Sequence, residues 1–276
     1  MKNLVMTLCM NYDYEIYERF IGSLFDCVNN IDLVIFISKN DEEYIKKLNN
    51  IYKNIIYKIV DNQNVHVVNF RFEMYYNYLK YNNTNYEYIF LCDSRDVLFQ
   101  KNIFNHDLLK NKSDLYIFEE ESGIITVDLC KFNSMYIKRS GLQIDQYVYD
   151  KKILCVGTLL GTYNGIIRYL EEFNKLLYNS VEENNRIFYG TDSGINYNII
   201  YGNLLQDIKI YICKNYEKLV YTVAFPNYLG LINYDKLLNN NNKICYNDDE
   251  VYCVHQYDRF DNNIKKKLSI KYNYIL

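Results

Sequence analysis

Residues 88–104 read YIFLCDSRDVLFQKNIF, and the fold turns on how that stretch is understood. An apolar run from Tyr88 to Cys92 stops at Asp93, Ser94, Arg95 and Asp96, and the chain then returns to apolar Val97, Leu98 and Phe99. Two carboxylates and a guanidinium between two buried segments have two readings. One is a polar turn at the end of a strand; the other is a site for a cation and a phosphate.

The segments upstream supply the context. Residues 4–10 form a short apolar strand, and residues 14–28 carry Ile16, Phe20, Leu24 and Val28 at helical spacing. Residues 33–37 (LVIFI) are apolar without alternation, as expected of a strand covered on both sides. Asp41 caps a short helix through Leu48, residues 55–60 give another strand, and residues 70–81 another helix. Strands and helices in turn predict an α/β protein: a mostly parallel central sheet flanked by helices. Ligands of such sheets bind outside the carboxyl ends of the strands. Asp93 to Asp96 occupy such an end.

Downstream the pattern is less regular. Residues 115–118 and 124–127 read as short strands around the acidic turn Glu119, Glu120, Glu121, Ser122, Gly123. Residues 153–156 lead into a turn with Gly157, Thr158 and Gly161. Ile166, Ile167, Leu170, Phe173, Leu176 and Leu177 then mark a long amphipathic helix with Asn164 as its cap. Thr191 and Asp192 open a further helix closed by Gly202 and Asn203, and residues 208–213, 219–225 and 251–255 read as strands. With no linker and no repeat, residues 1–276 are expected to form one domain.

Composition excludes several classes. Charged residues are 24%, hydrophobic residues 49%, and a net charge of -3 offers no field to gather nucleic acid. The eight cysteines never form a close CxxC pair, which argues against a zinc knuckle or a disulfide framework. They read as small buried hydrophobes in a reducing compartment. The opening MKNLVMTLCMNYDY is too short for a secretory signal, and no run approaches the ~20 apolar residues of a membrane span. A cytoplasmic protein is the expectation. The 32 tyrosines, with one Pro and no Trp, follow the residues that AT-rich codons favour and are not counted as a binding surface.

A hard divalent cation takes oxygen ligands and often keeps a diphosphate as partner. Asp93 and Asp96 with Arg95 can serve both, and VHQYDRF (residues 254–260) adds His255, Asp258 and Arg259 after another apolar strand. A His from so distant a segment would complete a metal site between the two parts of the chain.

Taken in order, DSRDVLFQ, CVGTLLGT (residues 155–162), TDSGINYN and VHQYDR resemble the GT-A-fold nucleotide-diphospho-sugar glycosyltransferases, over residues 4–259. The resemblance implies a GT-A-like fold and transfer of a sugar from a UDP- or GDP-sugar to a glycan, protein or lipid acceptor. It also implies Mn2+ or Mg2+ on the donor diphosphate. Residues 1–104 would be the nucleotide-binding half, and 105–276 the acceptor half with a C-terminal tail. Residue by residue, it implies Asp93, Asp96 and His255 at the metal, with one of the two acids binding directly and the other through water or on the ribose, and Arg95, Asp258 and Arg259 on the donor. Tyr12 would stack on the base, Arg71 would face the donor, and Gly157 and Thr158 would line the sugar or acceptor side. Asp192 is the candidate general base, against the alternative of ordinary helix capping. The chain departs from the usual Asp-any-Asp, because its acids are three apart with Arg95 between.

Glu119 to Glu121 are a second source of acid, read as a solvated turn, and His66 and His106 have no companion motif. The alternatives are a catalytically inactive nucleotide-sugar-binding or structural protein, a phosphohydrolase and a methyltransferase. A phosphohydrolase wants an Asp after the first strand, where Cys9 and Met10 stand, and a methyltransferase an early Gly-rich loop, which is missing.

Overall fold

Unbroken apolar runs build the centre of the molecule, seen in a computed structural model that describes residues 1–60, 67–82, 85–140, 148–184 and 189–269. His66 lies outside the described residues. The strands β1 (Lys2–Leu8), β2 (Ile31–Ile37), β3 (Ile55–Ile59) and β4 (Tyr86–Asp93) alternate with helices α1 (Tyr14–Cys27), α2 (Glu42–Asn49) and α3 (Val67–Tyr81). These four strands pair in parallel, as the alternation predicts.

After β4 the chain makes β5 (Val97–Phe99), β6 (Leu115–Glu119), α4 (Lys131–Arg139), β7 (Leu154–Thr162), α5 (Tyr163–Asn184), α6 (Thr191–Tyr201) and β8 (Ile210–Cys213). The central sheet has seven strands in the order β3-β2-β1-β4-β7-β6-β8. Only β7 runs against its neighbours, pairing antiparallel with both β4 and β6. Residues of alternate parity pack on opposite faces: Leu4 and Met6 meet α3 and α5, where Phe72 stacks on Phe173 with ring centroids 3.9 Å apart. Val5, Leu33 and Ile35 meet Tyr17, Phe20 and Leu24 of α1 on the other face. Each such side chain contributes roughly 1.5–3 kcal/mol on leaving water.

The last segment adds β9 (Val220–Thr222), α7 (Ala224–Tyr228), β10 (Cys245–Tyr246), β11 (Asp249–Glu250), β12 (Cys253–His255) and α8 (Asn262–Ser269). A small second sheet, β5-β12-β9, ties this segment to the turn after β4. Its register sets His255 opposite Val97, one residue beyond Asp96. Beneath it Leu98, Tyr221, Val254, Tyr257 and Phe260 form a third apolar cluster.

Four expectations need correction. Residues 124–127 form no strand, since Ser122 and Gly123 begin a run of turns. Gly157, Thr158 and Gly161 belong to β7 itself, which runs on to Thr162, so there is no turn between residue 156 and the helix. Asn164 sits inside the first turn of α5 and does not cap it. Residues 219–225 are half strand and half helix, because the chain turns at Val223 into α7.

Candidate active site

The turn after β4 is held from three sides. Ser94 donates its hydroxyl to Leu8 O at 2.9 Å, Gln256 N–H donates to Asp96 O at 2.7 Å, and the Arg95 carbonyl accepts from both Tyr257 Oη at 2.8 Å and Arg19 Nη2 at 3.2 Å. A turn so anchored fixes where its two carboxylates point.

Each of three side chains has one polar atom engaged behind it and one turned to a common point. Arg71 bonds Asp93 Oδ1, Arg95 lies 3.3 Å from Asp96 Oδ2, and Cys155 Sγ lies 3.2 Å from His255 Nδ1. The remaining atoms face one another: His255 Nε2 is 3.5 Å from Asp93 Oδ2 and 3.8 Å from Asp96 Oδ1. All three fall within 4.8 Å of each other. His255 Nε2 is buried without a hydrogen-bond partner among the described residues. Donors at about 2.1 Å from one octahedral ion sit roughly 3 Å apart when adjacent and roughly 4 Å when opposite. The two carboxylates and the imidazole therefore fit a divalent cation such as Mn2+ or Mg2+ after a small contraction, and the donor set suits Mn2+ well.

Charge in this cluster is strongly perturbed. Burial opposes ionisation of Asp93, but Arg71 and His255 outweigh it and bring the carboxyl down to about 2. Burial raises Asp96, with Asp93 adding to the effect against the pull of His255. Burial alone would lower His255, yet Cys155 and the two carboxylates outweigh it and hold the imidazole well above the usual histidine range. A charged imidazole between two acids is what a cation would replace.

The cluster opens into a cleft of about 710 Å³. Strand order spreads its lining along one sheet edge: Tyr12 follows β1, Asp93 ends β4, Gly157 lies in β7 and Glu120 follows β6. Between Ile117 and Phe118 the pairing of β6 skips from Leu159 to Cys155, so residues 156–158 bulge out of register. Gly157 thereby comes under the cluster. A Cβ there would stand 2.5 Å from Asp93 Oδ2 and 2.7 Å from His255 Cε1, so only glycine leaves the space open.

No protein-family model matches the chain, and no curated protein sequence does. Solved structures do. An active-site mutant of LgtC superposes with a TM-score of 0.60 at 12% identity, covering 99% of this chain and 97% of that one. The galactosyltransferase LgtC in complex with donor and acceptor sugar analogs gives 0.59 at 11% identity, with coverage of 99% and 97%. Mouse xyloside xylosyltransferase 1 in its apo form gives 0.57 at 8% identity, with coverage of 93% and 98%. The chain has the GT-A fold.

Within this GT-A fold, Asp93, Asp96 and His255 come together, and Tyr12, Arg71, Arg95, Gly157, Asp192 and Arg259 line the same cleft. Two expected residues stand elsewhere. Thr158 is fully buried with its hydroxyl 3.9 Å from Cys155 Sγ, and Asp258 lies outside the lining, paired with Arg95 at 3.2 Å and Arg259 at 3.3 Å. A carboxylate so placed sits between the two arginines.

Arg71 lines the cleft as an engaged cation. It is 7% exposed, and its guanidinium joins Asp93, Asp192 Oδ2 at 3.4 Å and Val156 O at 3.3 Å. Asp192 is no N-cap, since Gly190 holds that position. Its Oδ1 accepts from Ser193 N–H at 2.9 Å, and Asn69 Oδ1 accepts from its backbone N–H at 3.1 Å. Burial raises Asp192, with Arg71 opposing.

The sequence reading placed Glu120 in a solvated acidic turn and gave Cys155 no role at the site. Burial pushes the Glu120 carboxyl up to about 7, against His255 and Arg259. Among the described residues no hydrogen bond or ion pair engages that carboxyl. Its signal was position, one residue past a strand of the same sheet as β4. Cys155 carried none beyond its nearness to Gly157.

Proposed function

We propose that this chain is a metal-dependent glycosyltransferase that moves a sugar from a nucleoside-diphosphate-sugar to an acceptor hydroxyl. The observation that carries the reading is the convergence of Asp93 Oδ2, Asp96 Oδ1 and His255 Nε2 at the carboxyl end of β4, beside Arg95 and Arg259. The fold shared with a galactosyltransferase and a xylosyltransferase supports it.

Those three atoms would hold Mn2+ or Mg2+. The ion, when bound, supplies positive charge against the diphosphate as it leaves. Arg259, half exposed at the lip of the cleft, adds its charge to the same oxygens, and Asp258 keeps it and Arg95 turned inward. Tyr12 offers a ring to the base on the β1 side. Gly157 leaves room for the sugar.

Two further carboxyls line the cleft and have different parts. Asp192, engaged by Arg71 and Ser193, positions Arg71 and through it Asp93. Glu120 is the freer group, and a carboxyl near 7 is suited to taking a proton from an acceptor hydroxyl at neutral pH.

Thermal unfolding with UDP, GDP and CMP, each with and without Mn2+, tests the reading. A ligand that binds only the folded state raises apparent stability, by about 2.7 kcal/mol at a hundredfold excess over Kd. One nucleoside diphosphate should stabilise the protein only with Mn2+ present. Absence of any shift, or a shift indifferent to Mn2+, would contradict it.

A further inference from the structure

Cys155 stands opposite Phe118 where β7 leaves its register with β6, and its sulfur is surrounded by donors. The Gly157 N–H reaches Sγ at 3.3 Å and the Thr158 hydroxyl lies 3.9 Å away, while His255 Nδ1 is 3.2 Å distant. The amide can only donate, and the hydroxyl is placed to donate as well, so the sulfur is an acceptor in this setting. On the other side of the imidazole, Nε2 is buried, unpartnered and turned toward Asp93 Oδ2 and Asp96 Oδ1.

An imidazole that ligates through Nε2 carries its proton on Nδ1, and a buried N–H left without an acceptor costs roughly 1–3 kcal/mol. The Nδ1 side of this ring is closed to water, since His255 is 1% exposed. Resting on the metal-dependent reading above, we propose that Cys155 is a positioning residue for the metal. Its Sγ accepts the Nδ1 proton of His255, fixes the rotation of the ring, and so presents the Nε2 lone pair alongside Asp93 and Asp96. The sulfur lies behind the ring and is not itself a ligand. Carboxylates and backbone carbonyls usually fill this place behind a metal-binding histidine. Here a thiol fills it, completing the pattern in which Arg71 backs Asp93 and Arg95 backs Asp96.

Mn2+ binding to the ligand-free protein, followed by the electron paramagnetic resonance of the free ion, tests the assignment. Cys155→Ala should weaken Mn2+ binding by about 10–100-fold, the usual effect of losing such a partner. Cys155→Ser should recover much of that loss, because its hydroxyl oxygen accepts the same proton. A cysteine that merely packs would alter the thermal stability of EDTA-treated protein and leave Mn2+ affinity alone. A folded Ala variant binding within twofold of wild type overturns the proposal. Should the Ala variant not fold, wild-type protein loaded with Mg2+ and labelled with 15N-histidine gives a second readout. The His255 Nδ1 proton should be visible and slow to exchange; a proton on Nε2, or fast exchange at Nδ1, overturns the proposal. Wild type that binds neither ion would defeat the metal-dependent reading itself, whereas equal affinities in wild type and Cys155→Ala defeat only the role of Cys155.

Discussion

His255 Nε2 lies 3.5 Å from Asp93 Oδ2, although 162 residues separate the two in the chain. The three-residue pairing of β12 with β5 brings them together, since Val254 opposite Leu98 and His255 opposite Val97 admit one register only. A slip of one residue would turn His255 to the opposite face, where Val254 now packs.

Of the two acids beside this histidine, Asp96 is held at a cost to the metal-free fold. Burial raises Asp96, so its charged form is disfavoured without a cation. Asp96→Asn is therefore expected to raise the melting temperature of metal-free protein slightly and to abolish stabilisation by Mn2+ with a nucleoside diphosphate. Differential scanning fluorimetry in EDTA and in Mn2+ reads both effects. A lower melting temperature in EDTA would show that the carboxylate serves the fold.

Buried Arg71 joins the partly exposed Asp93 and the buried Asp192. Arg71→Met leaves the buried Asp192 carboxyl uncompensated and takes one of two cationic partners from Asp93, and should cost about 3–5 kcal/mol at neutral pH. The sign with pH follows from Asp93, whose carboxyl Arg71 and His255 bring down to about 2. That depression stabilises the fold above the unfolded value near 3.8 and is lost as pH falls toward 2, so the gap between wild type and variant should narrow in acid. Urea unfolding at pH 7 and pH 3 measures it, and a gap independent of pH would contradict the pairing.

Glu120 behaves in the opposite sense. Its folded-state value of about 7 exceeds the ordinary 4.5, so the native state keeps a proton that the unfolded chain has lost across that interval. Stability from this group falls as pH rises from 4.5 to 7, and the full cost, on the order of 1–3 kcal/mol, is present above 7. Glu120→Gln should thus be more stable than wild type at pH 8 and about equal at pH 4. It should also lower kcat by roughly two orders of magnitude or more if Glu120 takes the acceptor proton, with nucleotide affinity unchanged. Urea unfolding at the two pH values and steady-state kinetics check the two halves separately.

Gly157 tests the space at the cluster. A methyl group added there meets Asp93 Oδ2 and His255 Cε1 within contact distance, so Gly157→Ala should displace one of them and remove Mn2+ binding. Overpacking of this kind typically costs about 1–3 kcal/mol, which leaves a folded protein to assay. Retention of Mn2+ affinity in the Ala variant would mean that the cluster is not the metal site.

Much of this arrangement was legible in the sequence because it obeys local rules. The abrupt passage from apolar Cys92 to Asp93, Ser94, Arg95 and Asp96 marks a strand end, and three strand–helix units upstream mark the sheet whose edge it faces. What stayed hidden depends on pairing across the chain. Neither the reversed direction of β7 nor its bulge has a local signature, so Gly157 read as a turn residue when it is a strand residue kept small by Asp93 and His255. Glu120 was concealed among three consecutive acids, and only the fold shows which of them faces the cleft. A buried cysteine looks like any small hydrophobe, so nothing in CVGT discloses the imidazole 3.2 Å from Cys155 Sγ.

The central claim is that Asp93, Asp96 and His255 share one divalent cation with a nucleoside diphosphate. Crystals soaked with Mn2+ and UDP or GDP, measured for anomalous scattering from manganese, test it most directly. The account predicts a single peak in the cleft, bonded to Asp93 Oδ2, Asp96 Oδ1 and His255 Nε2 at about 2.0–2.3 Å and to the diphosphate on its open side. A nucleotide bound in the cleft with no manganese at these three atoms would contradict it.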